Sequence, residues 1–159
     1  IDDTTFIGGY ESKHMTMIEN ISRLSYSMYL NEEAYNALKQ MYDDLYKNTK
    51  KRFLVTSAYK SYDVLNLEEN TSQAGYSEFQ LGTSVSLKVN GIKDVEFVST
   101  DVYQWLLEHS YEYGYVLRYP SDKVTITQKE SCNIFRYVGK ENAQKMHNQN
   151  LCLEELNNQ

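Results

Sequence analysis

Tyr35, Leu38, Met41, Tyr42, Leu45 and Tyr46 recur at the three- and four-residue spacing of one helical face, and no other feature constrains the fold as much. Asn31 stands where a cap is needed, and Glu32 and Glu33 suit the positive start of a helix. The spacing predicts a helix over residues 32–48. Its apolar stripe must be buried against a second element, and residues 53–59, rich in β-formers, read as the first strand to offer one. A single Pro and seven Gly leave little room for linkers, so helix and strand belong to one packed unit.

The remaining segments alternate in the same way. Residues 1–30 place Met15, Met17, Ile18, Ile21, Leu24, Met28 and Leu30 at mixed periods and read as an irregular arm packing on a domain formed by residues 31–159. Residues 60–80 carry few periodic apolars and read as a short helix or loop. Over residues 83–89, Thr83, Val85, Leu87 and Val89 share one face of a strand, while Ser84, Ser86 and Lys88 look outward or into a cleft. Asn90-Gly91 is a turn signal that predicts residues 92–98 pairing back as a hairpin. Thr100 then caps a helix that runs to Tyr113 and stops at Gly114. Residues 115–119 and 134–138 read as strands, and residues 140–148 as a last helix. Helices beside short, hairpin-like strands give an α+β class, a small and mostly antiparallel sheet flanked by helices.

A net charge of −6 and a pI near 5.1 argue against sequence-independent nucleic-acid binding, which needs clustered cations. The one basic cluster, Lys47, Lys50, Lys51 and Arg52, reads as a solvated helix end. No stretch reaches the roughly 18–20 consecutive apolar residues of a spanning helix. The sequence starts at Ile1 without Met, which fits a processed or truncated chain. Cys132 and Cys152 can form one bridge in an oxidising compartment or remain two buried thiols; sequence leaves both open. Fifteen Tyr suit an aromatic core or an adhesive cleft, because each ring buries area while its hydroxyl seeks a partner.

Four ordered blocks carry a further signal: Ser57-Ala58-Tyr59-Lys60-Ser61-Tyr62, then the stretch from Gly75 to Leu87 (GYSEFQLGTSVSL), then residues 105–120 (WLLEHSYEYGYVLRYP), then Phe135-Arg136-Tyr137-Val138-Gly139. In that order they resemble the VanY-type D-alanyl-D-alanine carboxypeptidases, which are M15 zinc peptidases, over roughly four fifths of the chain. The resemblance implies the M15 D,D-peptidase-like fold, also called the hedgehog/DD-peptidase fold.

What it implies for chemistry differs. The family block matching Ser77 to Ser86 reads S-E-H-Q-x-G-x-A-x-D, with His and Asp as zinc ligands. A later E-P-W-H supplies the general base and the third ligand. Laid on this sequence, the first His becomes Phe79 and the Asp becomes Ser86. The Glu becomes Ser131, Pro and Trp become Cys132 and Asn133, and the last His becomes Ile134. A small shift brings Glu130 near the base position; none restores a histidine. The Arg that holds the peptide carboxylate in the family becomes Lys60, which keeps charge but loses the bidentate fork. A catalytic zinc needs about three N, S or O donors and an open position for water. Phe and Ile offer no lone pair, and without the metal a water stays far too weak an acid to supply hydroxide near neutral pH.

The expected site therefore has no catalytic residue, no metal and no cofactor, with Lys60, Phe79, Ser86, Ser131 and Ile134 as degenerate cleft positions. Tyr76, Glu78, Gln80 and Arg136 are candidates for a binding rim, with Arg136 also suited to a cleft-floor ion pair. Only residues 63–74 separate two blocks that lie further apart in the family, which implies a trimmed cleft wall. His14, His109 and His147 share no ligand spacing, and Cys132 has no His nearby in sequence to activate it. The resemblance implies an inactive carboxypeptidase-like domain outside the bacterial cytoplasmic membrane, tied to peptidoglycan remodelling. An envelope protein is favoured as partner over a peptidoglycan peptide, with no nucleic acid, and with membrane contact only through an upstream anchor. The rival expectation is an active D,D- or L,D-carboxypeptidase with a rearranged site.

Overall fold

The structure is a computed structural model that describes residues 7–67 and 74–158. In chain order it runs β1 (Met15–Met17), β2 (Tyr29–Asn31), α1 (Glu32–Thr49), β3 (Leu54–Ser57), α2 (Tyr62–Leu67), β4 (Ser84–Lys88), α3 (Asp94–Phe97) and α4 (Asp101–His109). It continues through β5 (Tyr115–Tyr119), α5 (Val124–Thr127), β6 (Ser131–Tyr137), α6 (Lys140–Gln149) and α7 (Leu153–Asn157). Single 3-10 turns lie at Glu78–Leu81, Ser110–Tyr113 and Ser121–Lys123.

α1 starts where the Asn31 side-chain oxygen accepts the Glu33 N–H at 3.1 Å, which satisfies one of the orphan donors of a helix start. It ends on Lys50 at φ 61°, whose N–H returns to the Tyr46 carbonyl. Ala34, Leu38, Met41, Tyr42 and Leu45 are buried, each large apolar side chain contributing about 1.5–3 kcal/mol. Tyr46, expected on that face, is instead exposed and carries the Arg52 guanidinium 4.1 Å above its ring. Lys51 pairs with Asp101, so the basic cluster is largely engaged in local structure at the helix end.

β3, β4, β6 and β5 form one antiparallel sheet in that spatial order. Val85, Leu87, Phe135 and Tyr115 belong to the main core with α1 and α4. Alternation sends the neighbouring residues to the other face, where Val116 meets Ala143, Met146 and Leu153 of α6 and α7. Thr100 caps α4 by accepting the Tyr103 N–H, and Gly114 at φ 86° provides the left-handed turn into β5.

Several expectations need correction. Residues 92–98 are not a returning strand: Gly91 makes the turn at φ 78°, but α3 comes next, with Phe97 buried and Val95 outward. Both edges of β4 are already taken by β3 and β6, so a hairpin partner has nowhere to pair. The arm is less irregular than expected, because β1 and β2 pair antiparallel and Ile18 and Ile21 enter the core. Of the two readings for Ser84 and Ser86, outward or into a cleft, only the outward one fails, because both are buried. Sequence periodicity also missed α7, five residues capped where Glu155 accepts the Cys152 N–H at 2.9 Å. Cys132 and Cys152 are free thiols, so the candidate bridge is absent; Cys132 packs against the main core and Cys152 is wholly buried. Residues 1–6 of the arm and 68–73 of the stretch between blocks lie outside the described residues.

Candidate functional site

The cleft is built on the sheet face opposite the main core. In β4 and β6, Ser86 stands directly across from Ile134, and Ser84 across from Arg136, so their side chains share that face. Ser57 of β3 pairs with Ser86 on its other side. The 3-10 turn Glu78–Leu81 closes one end: the Ser77 hydroxyl accepts the Phe79 N–H at 3.3 Å, and Gly82 at φ 71° ends the turn. The Lys60 N–H then donates to the Phe79 carbonyl at 3.2 Å, fixing the first block beside the second.

The result brings the five positions that the resemblance matches to family site residues into one neighbourhood. Phe79, Ser131 and Ile134 line a single cavity of about 230 Å³, together with Glu78, Tyr119, Lys129 and Glu130. Ser86 and Lys60 adjoin it through the pairings just described. The Ser131 hydroxyl donates to the Asn133 side-chain oxygen at 2.7 Å.

Glu78 does not simply rim the pocket. Its carboxylate, nearly inaccessible, accepts from Arg118 Nε at 2.6 Å, from Arg136 Nη1 at 2.8 Å and from the Ser84 hydroxyl at 3.0 Å. Arg118, 1% exposed, also pairs with Glu154 of α7 at 2.8 Å. Burial alone would push the Glu78 carboxyl up, but the Arg136 and Arg118 guanidiniums outweigh it and hold the group below its ordinary value. Burial and the Glu78 charge keep the neighbouring Tyr119 hydroxyl protonated. The cleft-floor ion pair expected of Arg136 is present, and the part of the site that sequence reasoning missed is Arg118, buried between Glu78 and Glu154. Its one signal was an Arg enclosed by Tyr115, Val116, Leu117 and Tyr119 in a strand too apolar to leave it in water.

Gln80 is also internal. Its side chain donates to the Gly8 and Tyr10 carbonyls at 2.8 and 2.9 Å and accepts the Gly75 N–H at 2.9 Å, so it ties the arm to the turn that carries Phe79. Tyr76 and Arg136 remain half-buried beside the cleft.

The donor set does not fit a catalytic zinc. A benzyl ring, two hydroxymethyl groups and a sec-butyl chain occupy the four positions, and no group of three His, Cys, Asp or Glu side chains able to hold a metal occurs among the described residues. His14 lies on the arm, His109 bonds Glu112 at 2.9 Å, and His147 stacks on Tyr111 at 3.7 Å between ring centroids. Burial pushes both the Cys132 and Cys152 thiols up, away from a nucleophilic thiolate.

Comparison with known proteins gives a consistent set of likenesses. A family model described as "VanY: D-alanyl-D-alanine carboxypeptidase" matches residues 64–140. A D-alanyl-D-alanine carboxypeptidase of Enterococcus faecium is 32% identical over 152 residues, covering 91% of this chain and 49% of that protein. One from Enterococcus faecalis is 45% identical over 86 residues, covering 53% of this chain and 31% of that protein. The chain thus spans about half or less of the length of these relatives. Among solved structures, the LdcB LD-carboxypeptidase superposes with a TM-score of 0.85 at 29% identity, covering 95% of this chain and 80% of that one. VanYB in complex with D-alanine-D-alanine gives 0.72 at 28%, covering 94% and 90%.

Proposed function

We infer that this chain, which belongs to the VanY-type carboxypeptidase family of M15 peptidases, acts by binding and not by hydrolysis. The reading is a catalytically inactive carboxypeptidase-like domain that serves as a protein-binding or scaffold component at the bacterial cell envelope, in an assembly linked to peptidoglycan remodelling. The observation that carries it is chemical: Phe79, Ser131 and Ile134 line one cavity and Ser86 stands across from Ile134. Of these four side chains two offer no lone pair while two offer only a neutral hydroxyl, a poor replacement for the imidazole and carboxylate donors of a catalytic zinc. The likeness to an LD-carboxypeptidase and to VanYB with D-alanine-D-alanine supplies the envelope setting. No described helix is long and apolar enough to cross a membrane.

A protein is favoured over a stem peptide as partner because Lys60 replaces the forked cation that the family uses for a terminal carboxylate. Apolar groups in a former polar cleft also suit a side-chain contact, since they need no hydrogen-bond partner when covered.

Metal analysis of the purified chain and release of D-alanine from a muramyl pentapeptide test the reading together. Substoichiometric zinc and no release are expected; stoichiometric zinc with turnover would establish a working carboxypeptidase with a rearranged site. In the converse experiment, the combined changes Phe79→His, Ser86→Asp, Ser131→Glu and Ile134→His are expected to confer one zinc per chain. A folded variant that takes up none would refute the positions assigned to the lost ligands.

A further inference from the structure

A second recess lies back to back with the cleft. It has a volume of about 260 Å³, with Val98, Tyr103, Leu107 and Leu117 as apolar walls and Asp122 and Glu130 as its charged groups. Tyr119, Glu130 and Ser131 line both cavities, so they form the wall between them. We propose that this recess receives one lysine or arginine side chain of a protein partner, a proposal that rests on the binding role given above.

Size decides against a whole small ligand, because such sites usually enclose about 300–1,000 Å³, whereas one long side chain fits here. Shape and polarity then select which side chain. Val98 and Leu107 are 39% and 40% exposed, an apolar lining suited to the methylene stem of an amphipathic residue. Asp122 and Glu130 are exposed, no Lys or Arg lines the recess, and neither carboxylate has an ion-pair partner among the described residues. Of the nearby cations, Lys123 pairs with Glu155 at 2.9 Å, and Lys129 lines the cleft and not the recess, its ammonium 5.6 Å from the centre of the Tyr119 ring in the shared wall. A neutral apolar occupant would strip water from two carboxylates without replacing it, and an anion would be repelled by them and by the net charge of −6. An arginine or lysine fills the apolar volume and brings its charge to the mouth. The shared wall places that residue next to whatever segment occupies the cleft, so one partner segment can engage both cavities.

The probe is the blocked tripeptide acetyl-Ala-Arg-Ala-amide, titrated into the isotope-labelled chain and followed by amide chemical shifts, with the uncharged citrulline counterpart as control. Saturable shifts are expected at Val98, Leu107, Ser131 and Cys132 for the arginine peptide alone. Affinity should fall about five- to tenfold in the Asp122→Asn/Glu130→Gln double variant, whose exposed sites leave the fold intact. No saturable shift at the recess, an equal response to the citrulline peptide, or indifference to the double variant would overturn the assignment. Shifts confined to Ser77, Phe79 and Ile134 would also overturn it while leaving the binding role standing. Recess shifts in a preparation that binds zinc and releases D-alanine would support the recess and refute the binding-only role.

Discussion

Glu78→Gln tests how far the buried charge network holds the cleft together. The substitution keeps the shape of the side chain but removes the charge that Arg118 and Arg136 share, while Arg118 stays 1% exposed. Removing one partner of a buried pair costs about 3–5 kcal/mol, because the remaining charge is left without compensation in a place water cannot reach. Arg118 retains Glu154 at 2.8 Å, so the loss belongs at the lower end, about 3 kcal/mol. For a chain of this size that lowers the melting temperature by roughly 6–12 °C.

The same variant changes the response to acid. With its folded pKa held below the ordinary value of 4.5, wild-type Glu78 contributes stability that is complete above that value. As the pH falls through the lowered folded value, that stability is lost. The amide introduced by Glu78→Gln has no proton to take up, so the variant should show a shallower acid limb. Urea denaturation monitored by circular dichroism, repeated from pH 7 downwards, measures both effects. A cost below about 1 kcal/mol at pH 7, together with an unchanged acid limb, would show that the network is solvated and the reasoning wrong.

Two further substitutions probe the frame of the site. Gln80→Ala removes two hydrogen bonds to the arm and one to Gly75, and faster amide exchange over residues 7–10 is expected, with a global cost of about 1–3 kcal/mol; unchanged exchange would show that the arm is held by other contacts. Gly114→Ala places a methyl 2.8 Å from the Tyr137 ring and 3.0 Å from the backbone of Gly139 and Lys140, at φ 86°. A strain-free glycine-to-alanine change would stabilise by about 0.4–1 kcal/mol, whereas this one should cost about 1–3 kcal/mol, and a melting temperature within about 1 °C of wild type would refute the close approach.

The elements legible in the sequence are those whose local signals act alone. Helix α1 carries its period in its own residues and its cap in Asn31 just before them, and β5 and β6 are short runs bounded by Gly114, Pro120 and Gly139. Asn90-Gly91 misleads because a turn signal marks where the chain reverses and leaves the next element open. The choice between strand and α3 is made by the neighbours of β4, far away in sequence. The cleft positions become legible mainly through the resemblance, since Phe79, Ser131 and Ile134 carry no periodic or chemical signal of their own and Ser86 shows only the alternation of its strand. Arg118 could not be assigned a partner from local pattern, because Glu78 lies 40 residues away and Glu154 lies 36 residues on the other side.

Ser86 and Ile134 occupy facing positions on the two inner strands of the sheet, so main-chain ladders on both sides of each strand fix their spacing, whatever the side chains are. The spacing of the two positions is therefore set by the main chain and does not depend on which side chains the strands carry. A residue there can be exchanged without moving its neighbour, so the frame outlasts a change of occupant.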